Sequence, residues 1–193
     1  MIPVQKVKKP VVFEREVGIP GSAWLSRNRS SKSRPPAHWN KVKSELKKGF
    51  DDLCAYAAMY VSNDGTVDHY LSCNTHRDLV YVWDNYRFAS GEMNSCKQNA
   101  DDSILDPYEV EQGWFEILLP SLQMRVTEAV PEDFRKRAKY TLKRLKLENG
   151  AQVIRWRRSW YAMYESGELT LQGLQRVAPL IAEAVKKESK KHK

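Results

Sequence analysis

The most constraining local feature of this chain is Ser62-Asn63-Asp64-Gly65, a run of turn formers set between two apolar stretches. Asn, Asp and Gly tolerate the left-handed backbone of tight turns, and here they break an otherwise hydrophobic passage. Before the turn lies Leu53-Cys54-Ala55-Tyr56-Ala57-Ala58-Met59-Tyr60-Val61, which fits a strand or a helix. After it, Thr66 to Leu71 reads as the second strand of a hairpin. A loop over 72–79 leads into Val80-Tyr81-Val82-Trp83-Asp84-Asn85. A helix is then expected over 85–97, with Tyr86, Ala89 and Met93 on one face.

The ends of the chain read differently. Residues 1–37 look like an extended basic arm, since 26–36 is polar, basic and closed by two prolines. Trp39, Val42, Leu46 and Phe50 recur at helical spacing after it. Residues 113–127 form a second candidate hairpin around Pro120. The last third is helical. Pro131 and Glu132 open a helix with the stripe Phe134, Ala138, Leu142 and Leu145. Asn149-Gly150 stops it, Val153 to Tyr164 forms the next, and Glu168 to Lys187 forms a third, bent or restarted at Pro179. The last of these runs into a basic tail, Lys186 to Lys193. The expected division is therefore a basic extended arm (1–37), a central unit with its preceding helix (38–107) and a mostly helical basic region (108–193).

Charge narrows the partners. Residues 1–50 carry 12 basic and 3 acidic side chains, 51–130 carry 4 and 14, and 131–193 carry 16 and 7. The net +8 is thus the remainder of +9, −10 and +9. Basic flanks suit a polyanion such as nucleic acid, and an acidic middle suits a site that gathers a divalent cation. The plain alternative is a set of solvated faces. No run of 18 apolar residues exists, which excludes a transmembrane helix, and the N-terminal stretch lacks the apolar core of a secretory signal. Three cysteines argue against a disulfide framework and for a reducing, cytoplasmic compartment.

Chemistry concentrates in 66–97. Asp68 offers a hard oxygen for a cation, and adjacent His69 offers a base that titrates near neutrality. Asn94 adds a neutral oxygen ligand. One Asp and one Asn leave most of a six-coordinate shell to water and phosphate, as Mg²⁺ prefers. A hydrogen-bonded surface histidine with capping asparagines explains the same residues without a metal.

Val67-Asp68-His69-Tyr70, Trp83-Asp84-Asn85 and Asn94-Ser95-Cys96-Lys97 together resemble the three parts of the HNH nuclease motif. The wording around them, including Leu105-Asp106-Pro107, is similar to small bacterial HNH proteins of Septu-type phage-defence systems. The resemblance spans roughly 50–107 and implies an α+β protein built on a ββα-metal finger, with an N-terminal arm and helix and a C-terminal helical subdomain. It implies a divalent-metal-dependent endonuclease acting in antiviral defence, on DNA in preference to RNA, with an ATPase as a conceivable partner and no membrane association. His69 would be the general base, Asp68 and Asn94 the ligands of one Mg²⁺ or Mn²⁺, and Asn85 the brace of the loop that orients His69. Arg87 and Lys97 become candidate phosphate contacts, the alternative being ordinary exposed side chains.

Many relatives carry two Cys-x-x-Cys pairs that bind a structural zinc. Here those positions read Cys54-x-x-Ala57 and Ser90-x-x-Met93, and one thiol does not close a tetrahedral site. No structural zinc is therefore expected, and Tyr56, Met59, Trp83, Tyr86, Phe88 and Met93 are the candidate core in its place. A zinc recruited by Cys73, Cys96 and His76 is a remote alternative. Trp156, Trp160 and Tyr164 share helical spacing and are assigned to the core, while Arg155, Arg157 and Arg158 beside them form a candidate phosphate track. A competing function for the whole chain is a non-catalytic nucleic-acid-binding or interaction module on the same scaffold.

Overall fold

The computed structural model describes residues 1–29, 31 and 33–191; Ser30 and Lys32 of the expected arm, and His192 and Lys193 of the basic tail, lie outside them. The chain is α+β, with two small two-stranded antiparallel sheets among seven α-helices in the described residues.

The N-terminal stretch departs from the extended arm expected of it. A π-helical turn, Glu14–Gly18, runs into α1 (Ile19–Arg27), and Phe13 and Val17 are buried in the core. Apolar residues spaced 13 and 17 form one face of this helix, and that face outweighs the basic composition around it. After a 3₁₀ segment, His38–Val42, α2 (Lys43–Gly49) buries Val42, Leu46 and Phe50 along the expected stripe.

Residues 62–65 make a bend at Asn63, whose Oδ1 accepts from the Gly65 N–H at 3.0 Å, in place of the expected hairpin turn, and the strands around it are arranged otherwise than the sequence predicts. Residues 53–61 make no strand beyond one isolated bridge, Leu53 to Tyr60. Asp51, Asp52 and Ala58 all have positive φ, so this run folds into a tight loop whose Ala55 N–H donates to Phe88 O. β1 (Thr66–His69) instead pairs with β2 (Tyr86–Ala89), setting Asp68 opposite Arg87 and His69 opposite Tyr86. The expected helix over 85–97 is accordingly split. Its first part is β2, and α3 (Gly91–Lys97) begins only after Ser90, whose hydroxyl accepts from the Met93 N–H at 3.3 Å. That cap is the physical stop between strand and helix. Gly65 must remain glycine: φ is +59°, and a Cβ there would lie 2.5 Å from the Phe88 ring.

The remainder follows the sequence in outline, although the helix expected to stop at Asn149-Gly150 ends at Arg144, and Gly150 instead caps the start of the next helix. β3 (Phe115–Leu118) and β4 (Gln123–Val126) form the second hairpin around Pro120. α4 (Glu132–Arg144) buries Ala138, Leu142 and the following Leu145. α5 (Ala151–Glu165), α6 (Leu171–Val177) and α7 (Pro179–Lys191) complete the chain, with the break before Pro179. One contiguous hydrophobic core joins all these parts. It contains all six proposed replacement-core residues: Tyr56, Met59, Trp83, Tyr86, Phe88 and Met93. Trp156, Trp160 and Tyr164 are half-buried against it. No helix among the described residues is long and apolar enough to cross a membrane.

Candidate functional site

A cleft of about 1140 Å³ lies where β1, α3, the loop after β1 and the segment before α2 meet. Asp68, His69 and Asn94 all line it, so the adjacent pair on β1 shares one cavity with a residue of α3.

His69 sits at the end of β1, wedged edge-on between Trp39 (ring centroids 4.7 Å apart) and Tyr86 (5.0 Å). Its Nε2 is 2.9 Å from Val80 O. A carbonyl can only accept, so Nε2 carries the proton and Nδ1 holds the lone pair of the neutral ring. Tyr86 donates its hydroxyl to the same carbonyl at 2.8 Å. Burial pushes the imidazole pKa below its ordinary value, because the charged ring would lose water; the hydrogen bond to Val80 and the Asp68 charge oppose this.

Asn85 closes the long loop between the strands. Its Oδ1 accepts from Leu71 N at 2.8 Å, and its Nδ2 donates to Leu71 O at 2.9 Å and Leu79 O at 3.2 Å. It therefore ties the start of the loop to the residue just before Val80, the carbonyl that holds His69. A short polar side chain with one acceptor and two N–H donors is what this crossing needs.

Asp68 is buried, and both its oxygens are engaged. Tyr56 donates its hydroxyl to Oδ2 at 2.6 Å, and the Lys97 ammonium lies 3.1 Å from Oδ1. Lys97 also donates to His69 O at 2.7 Å. It is fully buried, contrary to the expectation of an exposed or phosphate-binding side chain, because α3 turns its inner face onto β1. On the outer side of that helix face, Asn94 Nδ2 donates to Thr66 Oγ1 at 3.2 Å, which leaves its Oδ1 for a ligand.

Carboxylate and amide oxygens are the donor types that a hard divalent ion takes. A carboxylate has about four lone-pair positions, of which two are used here, and the Asn94 oxygen adds a neutral one. Among the described residues no group of three or more His, Cys, Asp or Glu side chains is placed to hold a metal, and Cys73, Cys96 and His76 do not converge. An ion in the cleft would therefore draw on Asp68 and Asn94 and take its remaining ligands from water and phosphate, as Mg²⁺ does. Cys54 Sγ accepts from the Ser90 N–H at 3.4 Å, and burial raises the thiol pKa.

Three of the five expected nucleic-acid contacts need correction. Lys97 is committed as above. Arg87 is buried in a forked pair with Asp106 (Nε to Oδ1, 2.7 Å) and stacks 3.9 Å from the centre of the Tyr108 ring. Arg157 is 1 % exposed and donates to Leu122 O and Leu147 O, both at 2.8 Å, with desolvation lowering its pKa to about 10. None of the three reaches solvent. Arg155 and Arg158 do, and Arg158 donates to Pro120 O at 3.3 Å.

The basic groups that do line the cleft are Arg34, Lys43 and Arg77, none singled out from the sequence. Arg77 lies over Trp24 and donates to Ser33 O, while Lys43 pairs with exposed Asp64 at 2.9 Å. Arg34 and Lys43 had no signal beyond membership of the basic N-terminal third, and Arg77, in the acidic middle, had none. Tyr56, Trp39 and Tyr86 were likewise invisible as site residues, since nothing local distinguishes them from other core aromatics.

No protein-family model matches the chain, and no curated protein matches it.

Proposed function

We propose that the protein is a divalent-metal-dependent endonuclease of the HNH type, hydrolysing DNA phosphodiester bonds, with antiviral defence as its setting. The observation that carries this reading is the tautomer lock on His69. Nε2–H is spent on Val80 O, so the basic Nδ1 is the free nitrogen of a ring that lines a cleft with Asp68 and Asn94. The succession β1, long loop, β2, α3 supports it, with Asn85 bracing the loop and Asn94 on the helix.

In this reading His69 Nδ1 accepts the proton of the attacking water. Its lowered pKa keeps the ring neutral and competent at neutral pH. Trp39 and Tyr86 restrict the ring to one orientation, and Asn85 holds the loop that presents Val80 O. Asp68 and Asn94 would hold the divalent ion, which when bound supplies charge stabilisation at the scissile phosphate and leaving oxygen. Arg34, Lys43 and Arg77 draw the phosphate backbone to the cleft. An ATPase partner belongs to the same proposal.

The test is plasmid cleavage with Mg²⁺ or Mn²⁺ by wild type and His69→Ala. Loss of at least about 100-fold in rate is expected, within the range for a general base; equal cutting sinks the assignment. The engagement of both Asp68 oxygens by Tyr56 and Lys97 favours a second reading, a non-catalytic nucleic-acid-binding module. Salt-sensitive binding without metal-dependent cleavage would select it.

A further inference from the structure

The acid proposed to hold the ion is already neutralised from within the protein. Lys97 lies three residues after Asn94 on α3, one helical turn on, so both side chains reach β1. Its ammonium is 3.1 Å from Asp68 Oδ1, and the two groups are 0 % and 2 % exposed. Arg87, across the ladder from Asp68, is matched by Asp106 and contributes no further charge. With Asn94 and His69 neutral, the site carries no net charge. An incoming cation would be repelled by Lys97 about as strongly as Asp68 attracts it. Of the other charged groups of the cleft wall, Lys43 is paired with Asp64, and Arg34 and Arg77 are positive as well. This wall attracts polyanions and repels free cations.

We propose that Lys97 is a resident competitor for Asp68, which keeps the site's affinity for a divalent ion low until a nucleic-acid phosphate enters the cleft, so that nucleic acid binds first and the ion second. The proposal rests on the nuclease reading of the same site. Lys97 acts here as a positioning residue: it holds the His69 carbonyl and pairs with Asp68, and its burial keeps it from substrate.

The experiment is Mn²⁺ binding followed by the loss of the free-ion electron paramagnetic resonance signal. Wild type, Lys97→Met, Asp68→Asn and the double variant are compared, each alone and with a phosphorothioate DNA oligonucleotide. Methionine keeps the length and apolar stem of the lysine. Lys97→Met alone is expected to bind Mn²⁺ on the order of 10- to 100-fold more tightly than wild type, the scale of one unopposed neighbouring charge in a partly screened site. Asp68→Asn should abolish that gain. The oligonucleotide should tighten binding by at least about tenfold in wild type, by adding the phosphate charge, and by much less in Lys97→Met. Equal, Asp68-dependent affinities in wild type and Lys97→Met overturn the competition while leaving the metal site standing. Binding indifferent to Asp68→Asn in every background overturns the metal site as well. Should Lys97→Met not fold, wild type decides: Mn²⁺ affinity that the oligonucleotide leaves unchanged refutes the ordered assembly.

Discussion

Replacing Asn85 with alanine tests the link between loop architecture and the candidate base. The side chain is 6 % exposed and makes three hydrogen bonds, to Leu71 N, Leu71 O and Leu79 O, at 2.8, 2.9 and 3.2 Å. Each is worth about 1 kcal/mol net, and a buried group left unpaired costs about 1–3 kcal/mol more. Leu71 is half-buried, so water recovers part of the loss at that end. The backbone bond from Tyr70 N to Asn85 O survives. The expected destabilisation of Asn85→Ala is therefore about 2–4 kcal/mol, read as a fall in the urea midpoint at unchanged m-value. For a chain of this length that corresponds to about 5–15 °C in Tm. At a temperature where the variant remains folded, DNA cleavage should still fall, because the residue that positions Val80 O has gone. A stability change below about 0.5 kcal/mol, the range of an ordinary surface substitution, would refute the bracing role.

Further outcomes follow from the same geometry. The acid limb of the cleavage pH profile should have its midpoint below 6.5, since burial lowers the His69 pKa from that value; a midpoint above it contradicts the buried, neutral ring. Stability should move in the same sense. Between the folded pKa and 6.5 the unfolded chain binds more protons at this residue, so its contribution to folding is lost as pH falls below 6.5, and His69→Gln should flatten that slope. Asp106→Ala strands the buried Arg87 guanidinium and should cost about 3 kcal/mol or more, whereas the apolar pair Arg87→Met with Asp106→Leu should recover most of it; a single-variant cost under 1 kcal/mol in chemical denaturation would count against the forked pair. Gly65→Ala combines a positive φ with a 2.5 Å approach to Phe88 and should cost about 2–3 kcal/mol; a thermal melt matching wild type would mean that the turn relaxes freely. In a DNA-binding titration, Arg155→Ala and Arg158→Ala should weaken affinity and reduce its salt slope, while Arg157→Met leaves both unchanged.

The parts of this protein written plainly in its sequence are those whose signal is local. The hairpin around Pro120, the apolar stripe of α4 and the restart of the helix at Pro179 each follow from residues within a few positions of one another. The gathering of Asp68, His69 and Asn94 at one cleft was legible too, because a motif records residue types at fixed spacing. Tertiary structure decided the rest. Thr66–His69 pairs with Tyr86–Ala89 across a long loop, while the nearer apolar run at 53–61 forms no strand, and only packing arbitrates between two such partners. The basic N-terminal third concealed a buried helical face, since composition averages over the few apolar positions that matter. Above all, the sequence does not say which cations are free. Arg87, Lys97 and Arg157 look like phosphate contacts when read along the chain, yet each ends in the interior, held by Asp106, by Asp68 and His69 O, and by two backbone carbonyls. Charge is a property of a residue type, whereas its availability depends on partners brought near by folding, and for Lys97 the partner is the very carboxylate the motif assigns to the metal.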